Sequence, residues 1–170
     1  PEVAREAKRI ITSRLARSFG VTQEEKAVVH HDITDNNARP YHLRIGTTGT
    51  LVCGLVGRID GFSDGKLVEL KTRTHRLFRK MRDYEQVQME IYMRMLELDT
   101  AVLIESFTDT TGTTRHEHVV HRNDKLWEHL VADCTRFCTN LTSLVATPKL
   151  WAEWETGSVE TRRRVWDLVE

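Results

Sequence analysis

The chain has few cysteines, no long apolar run and no surplus of charge of either sign. Three cysteines among 170 residues is an odd count without paired metal spacing, which argues against a disulfide framework and for an intracellular, reducing compartment. Cys134 and Cys138, four apart on an apolar helix face, read as core thiols. No apolar stretch approaches the roughly 20 residues of a membrane span and no signal peptide is visible, so no membrane partner is expected. Repeats and low-complexity segments are lacking too. The 25 basic residues are cancelled by 25 acidic ones, which speaks against a uniformly basic nucleic-acid binder and moves attention to how the charge is distributed. The length suits one domain with a full core. We expect that domain over 1–150, with 151–170 a helical tail or the start of a linker. The opening Pro1, in place of Met, is read as the mark of a piece of a larger protein or complex.

What is present is concentrated between Gly57 and Lys71. Asp64-Gly65 sits between two β-prone runs and is a two-residue hairpin signal, since both central positions of such a turn need positive φ. Counting outward sets Ser63 against Lys66, Phe62 against Leu67, Gly61 against Val68, Asp60 against Glu69, Ile59 against Leu70 and Arg58 against Lys71. Alternation then gathers Arg58, Asp60, Glu69 and Lys71 on one face, with Ile59, Val68 and Leu70 on the core face. Opposed carboxylates repel unless something positive lies between them. One or two Mg²⁺ or Mn²⁺ ions would suit a site of one or two carboxylates, waters and substrate phosphates. Lys71 stands where it could orient or deprotonate a bound water. The plainer alternative is a solvated face on which Arg58 and Lys71 offset the two acids.

The next segment reads as a helix from Asp83 to Leu98, with Tyr84, Gln88, Ile91, Tyr92 and Met95 recurring on one side. Tyr84 and Met95 fit a core, whereas a Gln facing inward needs partners. Between strand and helix the run Lys71, Arg73, His75, Arg76, Arg79, Lys80 and Arg82 concentrates positive charge beside the acids, where a phosphate backbone would approach. A basic amphipathic helix is expected over Glu2–Phe19. Beyond Leu98 we expect strands over Ala101–Thr108 and Arg115–His121 and a helix over Asp124–Val145 that Pro148 ends. His116 and His118 share a strand face, but a metal site there lacks a third ligand.

Three ordered segments, Gly57-Arg58-Ile59-Asp60-Gly61, Val68-Glu69-Leu70-Lys71-Thr72-Arg73 and Gln88-Met89-Glu90-Ile91-Tyr92, resemble the PD-(D/E)XK nucleases, in their RecB-like and lambda-exonuclease-like branches. The resemblance implies that Asp60 and Glu69 bind the metal, that the Leu70 carbonyl adds a ligand, that Lys71 is the catalytic lysine and that Gln88 and Tyr92 complete the site. It also implies a carboxylate on the first helix. Glu6 is our choice, with Glu2, Glu24 and Glu25 as competitors and His30 or His31 as an alternative ligand. Arg58, Arg73, Arg76, Arg79 and Lys80 are the candidates for gripping nucleic-acid phosphates. The order of elements gives an α/β fold with a mixed central sheet flanked by helices, restriction-endonuclease-like by the same resemblance. The expected activity is metal-dependent hydrolysis of phosphodiester bonds, with DNA as substrate and RNA possible. A DNA exonuclease of recombination, repair or replication is the first reading. A non-catalytic nucleic-acid-binding or scaffold module, and an RNA endonuclease, are its rivals.

Overall fold

The computed structural model describes residues 33–34, 39–49 and 51–170. The helix expected over Glu2–Phe19, with Glu6 and Glu2, lies outside the described residues, as do Glu24, Glu25, His30 and His31.

Asp64 and Gly65 turn the chain with φ of 49° and 71°, the positive values that a tight hairpin demands. They join β3 (Gly61–Ser63) to β4 (Lys66–Arg73). The antiparallel register is the expected one: Gly61 opposite Val68, Phe62 opposite Leu67, Ser63 opposite Lys66. Pairing stops there, and this corrects the longer ladder. Gly61 takes φ 145°, a conformation open to glycine and strained for other residues, so the preceding residues leave the strand. Asp60 and Arg58 therefore do not sit across a ladder from Glu69 and Lys71. Ile59 moves to the opposite side from the one expected, packing with Leu67, Met89, Tyr92 and Met93 and not with Val68 and Leu70. On the outer edge of β3, Phe62 exchanges backbone hydrogen bonds of 2.8 and 2.9 Å with Thr34.

β4 continues in parallel pairing with β5 (Thr100–Asp109), from Leu67 opposite Ala101 to Arg73 opposite Phe107, and β6 (Gly112–His121) closes the sheet antiparallel to β5. The strand order is β3-β4-β5-β6. Parallel neighbours need a crossover, and α1 (Asp83–Met95) supplies it. The helix ends three residues short of the expected Leu98, with Glu97 at φ 57° just beyond its end and the Leu98 N–H turned back to the Met93 carbonyl at 2.9 Å, a left-handed stop. Leu67, Leu103, Met89 and Met93 are fully buried between sheet and helix, each contributing about 1.5 to 3 kcal/mol. The other face gathers Val68, Leu70 and Ile104 with Ile33. Because β4 is covered on both faces, alternation sends Glu69, Lys71 and Arg73 to the α1 side. The coarse fold is thus mixed α/β, as the element order indicates.

The residues cluster into two compact units, one holding Gly57–Arg122 with the described chain before His42, the other His42–Val56 with Asn123–Glu170. The second unit contains the hairpin of β1 (Tyr41–Thr48) and β2 (Leu51–Gly57), the first residue of β1 and the last of β2 belonging to the first unit, and three helices, α2 (Asp124–Val145), α3 (Pro148–Thr156) and α4 (Val159–Asp167). Asn123 caps α2 by accepting from the Leu126 N–H at 3.0 Å. Pro148 does more than end α2: it opens α3 within the first turn, where a missing N–H is tolerated. The boundary expected at residue 150 consequently falls inside a helix, and 151–170 belongs to a two-helix segment packed on itself and on α2. Phe137 stacks on Trp166 with centroids 5.1 Å apart. All three cysteines are free thiols, and a hydrogen bond with Cys53 together with burial pushes Cys138 up to about 11. Among the described residues no helix is long and apolar enough to cross a membrane.

Candidate active site

Two short rows of polar side chains meet between β4 and α1. Alternation along the strand presents Glu69, Lys71 and Arg73, while the helical spacing of three and four residues presents Glu85, Gln88 and Tyr92. Lys71 Nζ donates to Glu69 Oε1 at 2.5 Å and to Gln88 Oε1 at 3.0 Å. Gln88 Nε2 donates to Glu69 Oε1 at 2.7 Å and lies 3.0 Å from the Tyr92 hydroxyl. Asp60, although outside the strand, is held at the same place because its Oδ2 accepts the Leu70 N–H at 2.7 Å. Five of the expected site residues, Asp60, Glu69, Lys71, Gln88 and Tyr92, are thereby brought together, and Leu70 joins them through its N–H. Gly57 makes the approach of Tyr92 feasible: a Cβ there would stand 2.7 Å from Tyr92 Cε1.

Charge in this cluster is asymmetric. Burial depresses the Lys71 pKa, but the Glu69 carboxylate, the hydrogen bond to it and the charges of Asp60 and Glu85 more than offset burial, so the pKa lies above the ordinary lysine value. Lys71 is an ammonium at neutral pH, suited to stabilise negative charge and unsuited to accept a proton. Tyr92 is also raised, first by burial and further by Glu69 and Asp60 against the opposing Gln88 bond. It stays a neutral phenol.

Arg73 corrects the sequence reading. It was expected to reach phosphate, yet it is buried, with Nη2 bonded to Glu105 Oε1 and 2.8 Å from Glu85 Oε1, and Nε donating to Glu105 at 2.8 Å. Both carboxylates are fully buried. Each also accepts a backbone N–H from the segment before α1: Arg79 N–H to Glu105 Oε2 at 2.9 Å and Arg82 N–H to Glu85 Oε2 at 3.0 Å. His118 Nε2 stands 3.4 Å from Glu105 Oε2, with His116 packed edge-on against the His118 ring at 4.5 Å. Arg58, Arg76, Arg79 and Lys80 are exposed.

Glu85 and Glu105 were missed in the sequence, although a signal existed for each. Glu105 interrupts the apolar run from Ala101 to Ile104, and Glu85 lies one helical turn before Gln88 on its face. Burial raises the Glu105 pKa, but the Arg79 N–H, Arg73 and His118 more than offset it, leaving the carboxyl below the usual range. A depressed folded-state pKa contributes stability above the unfolded value of about 4.3, which is lost as pH falls through the folded value. The stability gap between the protein and Glu105→Gln should therefore be constant near neutrality and close below about pH 4. Urea denaturation at several pH values measures it, and a gap that persists in acid would count against a charged Glu105.

The donor set fits a hard divalent cation. Among the described residues it offers carboxylate oxygens from Asp60 and Glu69 beside an ammonium and an amide, without thiolate or imidazole, and Mg²⁺ or Mn²⁺ keeps several waters where proteins supply one or two carboxylates. Among the described residues no group of three or more His, Cys, Asp and Glu converges on a point, so Asp60 and Glu69 are the described candidates to hold it.

No family model matches the chain, and no curated protein matches it. In fold it is similar to the crystal structure of SSO0001, with a TM-score of 0.51 at 15% identity over 74% of this chain. The chain spans 61% of the length of that structure. Identity at this level bears on the fold alone.

Proposed function

We propose that this chain is a metal-dependent nuclease that hydrolyses phosphodiester bonds, with DNA as its substrate. One observation carries the reading: the Lys71 ammonium is held by Glu69 and Gln88 in the field of Asp60, at the spacing that the nuclease resemblance requires. Asp60 and Glu69 would hold a Mg²⁺ or Mn²⁺ ion, which would supply activation of water and neutralisation of charge on the scissile phosphate. Lys71 stabilises the negative charge that develops on the phosphoryl oxygens. Gln88 keeps Lys71 and Glu69 in register, and Tyr92 orients the Gln88 amide. Arg58, Arg76, Arg79 and Lys80 attract and position the backbone without reading sequence.

A second reading has its own support. Asp60 Oδ2 accepts the Leu70 N–H and Glu69 Oε1 accepts from Lys71 and Gln88, which lowers the electrostatic cost of keeping these acids without a metal and suits a binding module that does no chemistry. End-labelled single- and double-stranded DNA and RNA, incubated with the protein and Mg²⁺, Mn²⁺ or EDTA, separate the two. Metal-dependent cleavage is expected, together with a rise in melting temperature in Mn²⁺ over EDTA, and both should vanish in Asp60→Asn/Glu69→Gln. A one-ended ladder would assign an exonuclease, internal fragments an endonuclease. Binding without cleavage of any substrate would leave the second reading.

A further inference from the structure

The segment 74–82 that links β4 to α1 contains no helix or strand, yet it is not left to itself. Two of its backbone N–H groups, of Arg79 and Arg82, are donated to the two carboxylates buried beneath it, Glu105 and Glu85. Arg73, on the strand it leaves, clamps those same carboxylates together. Phe78 packs against two cations, with the guanidinium of Arg73 4.4 Å and that of Arg82 4.0 Å from its ring centroid. Arg79 adopts φ 55°, a left-handed conformation that an arginine enters only when something holds it there; the bond to Glu105 does so. Above these anchors Arg76, Arg79, Lys80 and Arg82 are exposed, around a recess of about 420 Å³ lined by Arg76, Phe78, Lys80, Met81, Arg82 and Asp83.

We propose that Glu105, Glu85 and Arg73 act as an ionic latch whose function is to hold the basic 74–82 segment in the shape that receives a nucleic-acid backbone. The inference rests on the nuclease reading for its substrate. Its logic is separate: two buried carboxylates against one guanidinium leave an excess of acceptors, and charge-assisted bonds to the main chain of the segment use it. A nine-residue connection ordered in advance loses less conformational freedom on binding than a mobile one. Latch residues should therefore govern affinity, while Asp60, Glu69 and Lys71 govern the chemical step. Glu105 is a positioning residue that touches no substrate.

Fluorescence anisotropy with a labelled 20-nucleotide DNA, alongside steady-state cleavage, tests this. Glu105→Gln should raise Kd and KM about tenfold with kcat within twofold. The segment itself provides a variant that changes no core side chain. Arg79→Pro removes both the N–H that Glu105 accepts and, because its ring fixes φ at about −65°, the positive φ of that position. Arg79→Ala keeps the N–H, and both remove the exposed guanidinium, so their comparison separates the held shape of the segment from its charge. Arg79→Pro should bind about tenfold more weakly than Arg79→Ala. Equal affinities for these two variants would overturn the latch whether or not Glu105→Gln folds. So would a fall of kcat in step with affinity in Glu105→Gln, because the network would then support the catalytic residues. If the protein binds DNA and cleaves nothing, the nuclease reading fails while the paired Kd values still judge the latch. No binding of DNA by the unaltered protein overturns the latch as well.

Discussion

Arg73→Ala should lower the stability of the protein by about 3 to 5 kcal/mol, the cost of breaking a buried ion pair by removing one partner. Arg73 is the guanidinium that Glu85 and Glu105 share, and both carboxylates are fully buried. Without it, two like charges remain out of water, relieved among the described residues by backbone N–H groups, by the Tyr84 hydroxyl at 3.2 Å from Glu85 and by His118 at 3.4 Å from Glu105. In a chain of this size the loss corresponds to a fall of about 10 °C in melting temperature. Calorimetry or urea denaturation measures it. Two features would identify the cause. The loss should shrink in acid, as the carboxylates protonate, and Arg73→Ala combined with Glu105→Gln should be less unstable than the sum of the single changes. A loss below about 1 kcal/mol would mean that Arg73 behaves as a surface cation and that the buried network is not what anchors the start of α1.

Lys71→Ala should reduce cleavage by about 10²- to 10³-fold, the usual consequence of removing one preorganised stabiliser of transition-state charge. The raised pKa of Lys71 means that activity should not rise with deprotonation of this group anywhere near neutrality, so the pH profile of the unaltered protein should lack a lysine limb below pH 10. Metal binding should move the other way. Glu69 Oε1 loses its ammonium partner at 2.5 Å, and the two carboxylates then present more negative charge to a cation, so the Mn²⁺-induced thermal shift should equal or exceed that of the unaltered protein. Loss of cleavage with retained metal response would put Lys71 in the chemistry. Cleavage within a fewfold of normal would remove it. Tyr92→Phe should have a smaller effect, since Tyr92 acts on the site through Gln88.

Local chemistry was legible in the sequence. Asp64-Gly65 determined the turn and the register of its three flanking pairs, because only a few dipeptides accept two consecutive positive φ values. The period of 3.6 made the helix from Asp83 legible, and a second helix was expected over Asp124–Val145, where it lies. The spacing of Glu69 and Lys71 on a strand, and of Gln88 and Tyr92 on a helix, determined that each pair shares a face. Extension of the ladder over the three further pairs failed at Gly61, whose φ of 145° is invisible in a pattern of apolar and polar letters. Arg73 was misread for a related reason. A basic residue next to other basic residues looks solvated, and only the parallel pairing of β4 with β5, which sets Arg73 beside Glu105 32 positions away, buries it.

The amino-acid sequence by itself thus determined the inventory of the candidate site, because acids, lysine, amide and phenol at these intervals are properties of single elements. Tertiary structure alone decided how they meet: that Gln88 reaches both Lys71 and Glu69, that Asp60 is held through the Leu70 N–H, and that Arg73 on β4 is buried against acids of the core. The physical reason is that hydrogen bonds and desolvation act between elements distant in sequence. Local periodicity carries a residue's face, but whether a charge on that face meets water or a buried partner depends on which strand lies alongside.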